Sequence, residues 1–182
     1  MNKLFKSIGL LITFGLLANC GFQLQGQQLL NNLNGKTVAL YHQRLDGALY
    51  DQVMLRLKRS GVNVLELSQS SINQQDIASS GFQLMIDNEQ LQQRSIVRDN
   101  TGRAFEFELR LTVNIVYSPQ PIKKDRKALN EQLKRKEFRV YRTYINNNQQ
   151  LVANDRQKQE LLSAMRQQVA TLITEHVAQN LL

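Results

Sequence analysis

Phe105-Glu106-Phe107-Glu108-Leu109-Arg110-Leu111-Thr112-Val113-Asn114-Ile115-Val116-Tyr117 alternates apolar and polar residues almost throughout. Successive side chains of a strand point to opposite faces, so this run is a strand with one buried and one wet face, the habit of antiparallel sheets. Upstream, Phe82, Leu84 and Ile86 alternate in the same way; from Leu91 the apolar parity changes and Ile96 returns to even numbers, which predicts a bulge near Asn88 to Gln92. Between the runs sits Arg98-Asp99-Asn100-Thr101-Gly102-Arg103, where Asp-Asn and Gly supply turn chemistry. The two runs therefore form one long antiparallel hairpin with arginines flanking its tip.

Working outward, Lys36-Thr37-Val38-Ala39-Leu40-Tyr41 reads as a first strand. Asp46 can cap a helix, with Leu45 and Tyr50 at the positions of a hydrophobic staple. Leu49, Tyr50, Val53, Met54 and Leu57 then recur at helical spacing; Arg56, Lys58 and Arg59 fall in the last turn and Gly61 is the stop. Val62 to Leu67 is a second strand, and Ser68 to Ser80 a polar connection. Pro119 and Pro121 end the long strand, and residues 118–137 form a highly charged insertion, helical or mobile. Phe138 to Ile145 is a further strand closed by Asn146-Asn147-Asn148. Asn154 or Asp155 caps a last helix whose apolar face carries Leu162, Met165, Val169, Leu172 and His176, widened by Leu161 and Ile173. Grouped strands with two helices predict an α+β fold: a mostly antiparallel four- to five-stranded sheet, both helices on one face, and the long hairpin at its centre.

The N-terminus carries a different signal. Lys3 and Lys6 precede an uncharged stretch from Ser7 to Ala18, the layout of a secretory signal peptide. That stretch is about a dozen residues, whereas a membrane-spanning helix needs roughly 20. It ends in Leu17-Ala18-Asn19-Cys20-Gly21, which resembles the bacterial lipobox, with Asn19 standing where the pattern prefers Gly, Ala or Ser. Cys20 is the only cysteine, so an internal disulfide is excluded and acylation at a cleavage point is its best use. Residues 1–19 are then a signal peptide, 20–34 a lipidated polar tether, and 35–182 a single domain of ordinary size. By resemblance to lipoprotein sorting, Gly21 rather than Asp after the cysteine implies the outer membrane.

The formal charge of +8 falls to +6 when Lys3 and Lys6 leave with the signal peptide. A basic domain usually suggests nucleic acid, but secretion removes it from DNA and RNA. Anionic glycolipid, acidic peptidoglycan or an acidic protein surface remain as partners. No Gly-rich phosphate loop and no G-x-S-x-G elbow occur. His42 stands apart from other metal ligands, and His176 lies on an apolar helix face. Glu106 and Glu108 share a face as a glycosidase pair would, but on a regular strand they read as solvated or partner-facing. No enzyme activity, cofactor or metal is expected.

Cys20-Gly21-Phe22-Gln23-Leu24, Leu55-Arg56-Leu57-Lys58-Arg59-Ser60-Gly61-Val62, the hairpin Arg98 to Leu109 and Phe138-Arg139-Val140-Tyr141-Arg142 stand in an order and spacing that resemble the LptE family of lipopolysaccharide-assembly lipoproteins. The resemblance covers essentially the whole chain after Cys20. It implies a non-enzymatic plug that sits in the lumen of an LptD-type β-barrel, supports its assembly and binds lipopolysaccharide. The family's basic position at the hairpin tip falls on Arg98, with Arg103 beside it and Arg94 at matching parity. Its second basic position, near the start of the last helix, falls on Asn154, so that contact is missing or displaced to Arg156. The rival is a structural outer-membrane lipoprotein that scaffolds peptidoglycan or another barrel machine. The basic run Lys123 to Lys136 is read first as a solvated insertion, with contact to anionic headgroups as its alternative.

Overall fold

The computed structural model describes residues 33–42, 47–68, 81–98, 100–119, 132–146 and 151–181. The signal peptide, Cys20, most of the tether, Asp46, Asp99 and residues 120–131 lie outside the described residues.

Among the described residues seven elements follow one another: β1 (Thr37–His42), α1 (Ala48–Arg59), β2 (Asn63–Ser68), β3 (Phe82–Arg98), β4 (Ala104–Ser118), β5 (Lys134–Ile145) and α2 (Leu151–Leu181). The strands form one sheet in the order β2-β1-β3-β4-β5. β1 lies parallel to β2, with Thr37 opposite Asn63, and parallel to β3, with Val38 opposite Phe82. The antiparallel hairpin β3–β4 and the antiparallel pair β4–β5 make up most of the sheet. The fold is thus α+β as expected, with a parallel β1-α1-β2 unit at one side. β1 and β2 are short and their central residues nearly all apolar, the habit of parallel strands.

Both helices cover one face. Val38 and Leu40 of β1, Phe82, Leu84 and Ile86 of β3, Leu109 to Tyr117 at alternate positions of β4, and Phe138, Val140 and Tyr144 of β5 join one core with Leu49, Val53 and Leu57 of α1 and Met165, Val169, Ile173 and Val177 of α2. α1 ends as its sequence directs: Val62 N–H bonds the Leu57 carbonyl, Gly61 N–H bonds that of Lys58, and Gly61 takes φ of 77°. Its start differs. Gly47 holds the N-cap position with no side-chain bond, so the helix begins without the cap assigned to Asp46.

Three further boundaries move. The hairpin's bulge falls between Ile86 and Asn88, at the near edge of the expected window, and the register shifts twice more between Ser95 and Arg98. β5 begins at Lys134, inside the stretch assigned to the charged insertion, because Lys134 to Glu137 pair with Tyr117 to Asn114 of β4. α2 begins at Leu151, so Asn154 is no cap: its side chain is buried and donates to Asn146 Oδ1 at 2.6 Å.

β1 pairs with β3 only as far as Ile86, leaving β3 from Asp87 onward without a strand on that side among the described residues. α2 holds this free stretch. Arg166 Nε lies 2.7 Å from Glu89 Oε1 in a pair whose side chains are only 19% and 8% exposed, and Lys158 Nζ donates to Gln93 Oε1 at 2.8 Å.

His176 packs edge-on against Tyr117, centroids 4.8 Å apart, and against Phe138 at 6.0 Å, with Nε2 buried and unbonded. Burial, then the charges of Lys136 and Lys134, push its pKa below the usual histidine value.

Leu111→Ala removes a fully buried side chain and is expected to cost about 2–5 kcal/mol in urea unfolding. Glu89→Ala strands Arg166 and should cost roughly 2 kcal/mol, less than the 3–5 of a fully buried pair. His176 takes its proton more readily unfolded than folded. The stability owed to its neutral form is therefore present above about pH 6.5 and is lost as pH falls below that value. The melting temperature should drop between pH 7.5 and about 5.5, and H176F should flatten that drop.

Candidate functional site

The hairpin tip closes through Gly102, whose φ of 80° lies in the region that favours glycine. Arg98 Nη1 donates across the turn to the Gly102 carbonyl at 2.9 Å. That bond fixes the side chain without consuming its fork: the remaining guanidinium N–H groups have no protein partner among the described residues. Arg103 is exposed on the other limb of the turn.

Behind these arginines the surface turns apolar. Ile96, Val97, Phe105 and Ile145 are 42%, 42%, 47% and 53% exposed. They belong to one end of the sheet, since Val97 and Ile145 both oppose Glu106 across their ladders and Asn146 N–H bonds the Phe105 carbonyl. An end that is cationic and apolar at once suits an amphiphile with anionic groups beside alkyl chains.

Arg94 lies on the sheet face opposite the helices, the face to which the register also assigns Arg98 through its Ala104 partner. Its role differs from that of Arg98. Arg94 Nη2 donates to Glu108 Oε2 at 3.2 Å and Nε lies 2.8 Å from Oε1, an ion pair on one side of the guanidinium. Arg110 Nη2 lies 3.9 Å from the same carboxylate and stacks over Tyr141, 5.2 Å from the ring centroid. With Gln92 and Gln93, these residues line a shallow hollow of about 460 Å³. The sequence reading omitted Glu108, Arg110 and Tyr141 from the site. The signal was present: counting back from Arg98 opposite Ala104 puts Arg94 opposite Glu108.

Arg156 does not join this constellation. It is 82% exposed and pairs with Glu160 of its own helix at 3.0 Å. Asn154, which bonds β5's end, points about 200° around the helix from it. A larger hollow of about 1170 Å³ lies between α1 and α2, lined by Leu55, Arg56, Arg59, Gln167 and Gln168 among others, and no sequence motif marks it. Among the described residues no group of three His, Cys, Asp or Glu could hold a metal ion, and no helix is long and apolar enough to cross a membrane.

The sequence matches no family profile and no curated protein. Solved structures do match the fold. Rare lipoprotein B from Shewanella oneidensis superposes with a TM-score of 0.63 at 19% identity, over 79% of this chain and 95% of that one. Lipoprotein B from Nitrosomonas europaea gives 0.59 at 17% identity, over 87% and 90%. A minor lipoprotein from Acinetobacter baumannii gives 0.56 at 17% identity, over 81% and 94%. At these identities the likeness is one of fold.

The two tip arginines should separate in a thermal melt. Arg94→Ala leaves Glu108, 16% exposed, without its fork and is expected to cost about 1 kcal/mol, whereas Arg98→Ala, at an exposed turn, should stay within about 0.5 kcal/mol.

Proposed function

We propose that this chain is an LptE-like outer-membrane lipoprotein, acylated at Cys20, that plugs and helps assemble an LptD-type barrel and binds lipopolysaccharide with its hairpin tip. The observation that carries the reading is the tip itself. Arg98, tethered by one N–H and otherwise open among the described residues, stands at the same end of the sheet as the exposed Ile96, Val97, Phe105 and Ile145. Lipid A combines phosphates with alkyl chains, and a guanidinium fork clamps a phosphate in bidentate fashion while the apolar residues meet the chains. The fold shared with three bacterial lipoproteins supports the anchored state. The family resemblance supports the barrel and the ligand.

Arg94 is paired with Glu108, which makes it a secondary contact beside Arg98 in this reading. Arg98 is the leading ligand contact of this reading, with Arg103 and Arg94 beside it and Arg156 further off on its own helix. No residue is assigned a catalytic role.

The detergent-solubilised lipoprotein, purified from its native envelope, should bring down one large β-barrel protein in one-to-one ratio. Isolation alone or with peptidoglycan fragments would replace the plug with the scaffold. Arg98→Glu should weaken lipopolysaccharide binding about tenfold, the worth of one charge-assisted fork, with the melting temperature unchanged. Unaltered binding would move the ligand away from the tip.

A further inference from the structure

β1, β2 and β3 all begin at one end of the sheet, β4 ends there, β5 begins there, and α1 finishes there. The described chain enters at this same end. Leu33 is fully buried, and Gly35 N–H bonds the Gly61 carbonyl at 3.0 Å, which pins the entry beside the turn from α1 to β2.

Only residues 21–32 separate Leu33 from Cys20. Fully extended, that stretch reaches about 45 Å at 3.3–3.6 Å per residue. The 17 residues of β3 alone span about 56 Å. An acyl anchor at Cys20 therefore keeps the entry end within about 45 Å of its bilayer, while the hairpin tip, about 56 Å further along the sheet, meets that surface only when the domain lies on its side.

The side chains at the entry end suit that neighbour. Lys36, Arg59, Lys134, Arg135 and Lys136 are all exposed. The register places Lys134 and Lys136 on the helix side of β5 and Arg135 on its other side, so the charge wraps around the sheet's end. Among the described residues none of the five makes an ion pair. Of the acidic residues here, Glu137 is engaged by Arg139, which leaves Glu175.

We propose that this end is a docking surface for the anionic phospholipid headgroups of the leaflet that holds the Cys20 acyl chains. The inference rests on the anchor reading and is independent of the barrel. The acyl chains hold the domain at the membrane; the cations turn its entry end toward that leaflet. Attraction of this kind decays within a Debye length, about 8 Å at physiological salt, so it operates only once the anchor has brought the domain close.

The test uses the lipidated protein in phosphatidylcholine vesicles with or without phosphatidylglycerol, footprinted by a membrane-impermeant amine acylating reagent. In the anionic vesicles, modification of Lys36, Lys134 and Lys136 should fall about fivefold while that of Lys158, beside the hairpin, stays unchanged, and high salt should erase the difference. The variant K134Q/R135Q/K136Q should lose protection at Lys36 with its melting temperature intact. Equal modification in the two vesicles, equal protection of Lys158, or full protection of Lys36 in the variant would overturn the docking surface. Intact mass reports acylation separately, and a chain without acyl groups would overturn the anchor and the inference together.

Discussion

The apolar seam between β4 and the second half of α2 is the constraint on which the rest depends. Leu109, Leu111, Val113 and Ile115 are fully buried in the same core as Met165, Val169, Ile173 and Val177. A 31-residue helix is about 46 Å long, so α2 runs on well past this seam. Its apolar face from Met165 to Val177 is stabilised by core contact, while Lys158 and Arg166 reach the hairpin at Gln93 and Glu89 and Asn154 bonds Asn146 just past β5. The core-packed face thus positions the side chains that prop up a projecting, partly solvated arm.

That arm has a free strand edge over Asp87 to Arg98, and exposed edges invite unwanted pairing. Two features blunt it here. The register shifts between Ser95 and Arg98 twist the outer end, and Arg94 and Arg98 place charge along it. Charge at the tip therefore guards the edge as well as suiting a phosphate ligand.

How much of this was legible follows residue by residue. The hairpin was plain because β4 keeps strict alternation and the turn carries its own chemistry at Gly102. The first strands of the sheet were found, but their parallel pairing was not, because a six-residue apolar run fits either orientation. β5 hid its first turns: Lys134 to Glu137 are exposed on an edge strand, and a strand wet on both faces has no hydrophobic period to read. Asn154 looked like a cap because Asn favours that position; the helix instead starts a turn earlier and spends the side chain on Asn146. In the site, Arg98 was found through resemblance and Arg94 through parity. The carboxylate that occupies Arg94 required cross-strand register, which two opposing shifts near the tip happen to leave intact.

The division between a buried root and a projecting arm makes reach an adjustable quantity. Outward of the Gln93–Leu109 pair neither strand of the hairpin carries a buried residue, so the length of that outer part is not tied to the volume of apolar residues beneath it. Lengthening it in steps of two residues per strand would move the tip by about 7 Å each time and keep every side chain on its face; a step of one would exchange the faces. Related chains can thus differ in reach while keeping the same core, with changes of length confined to even numbers.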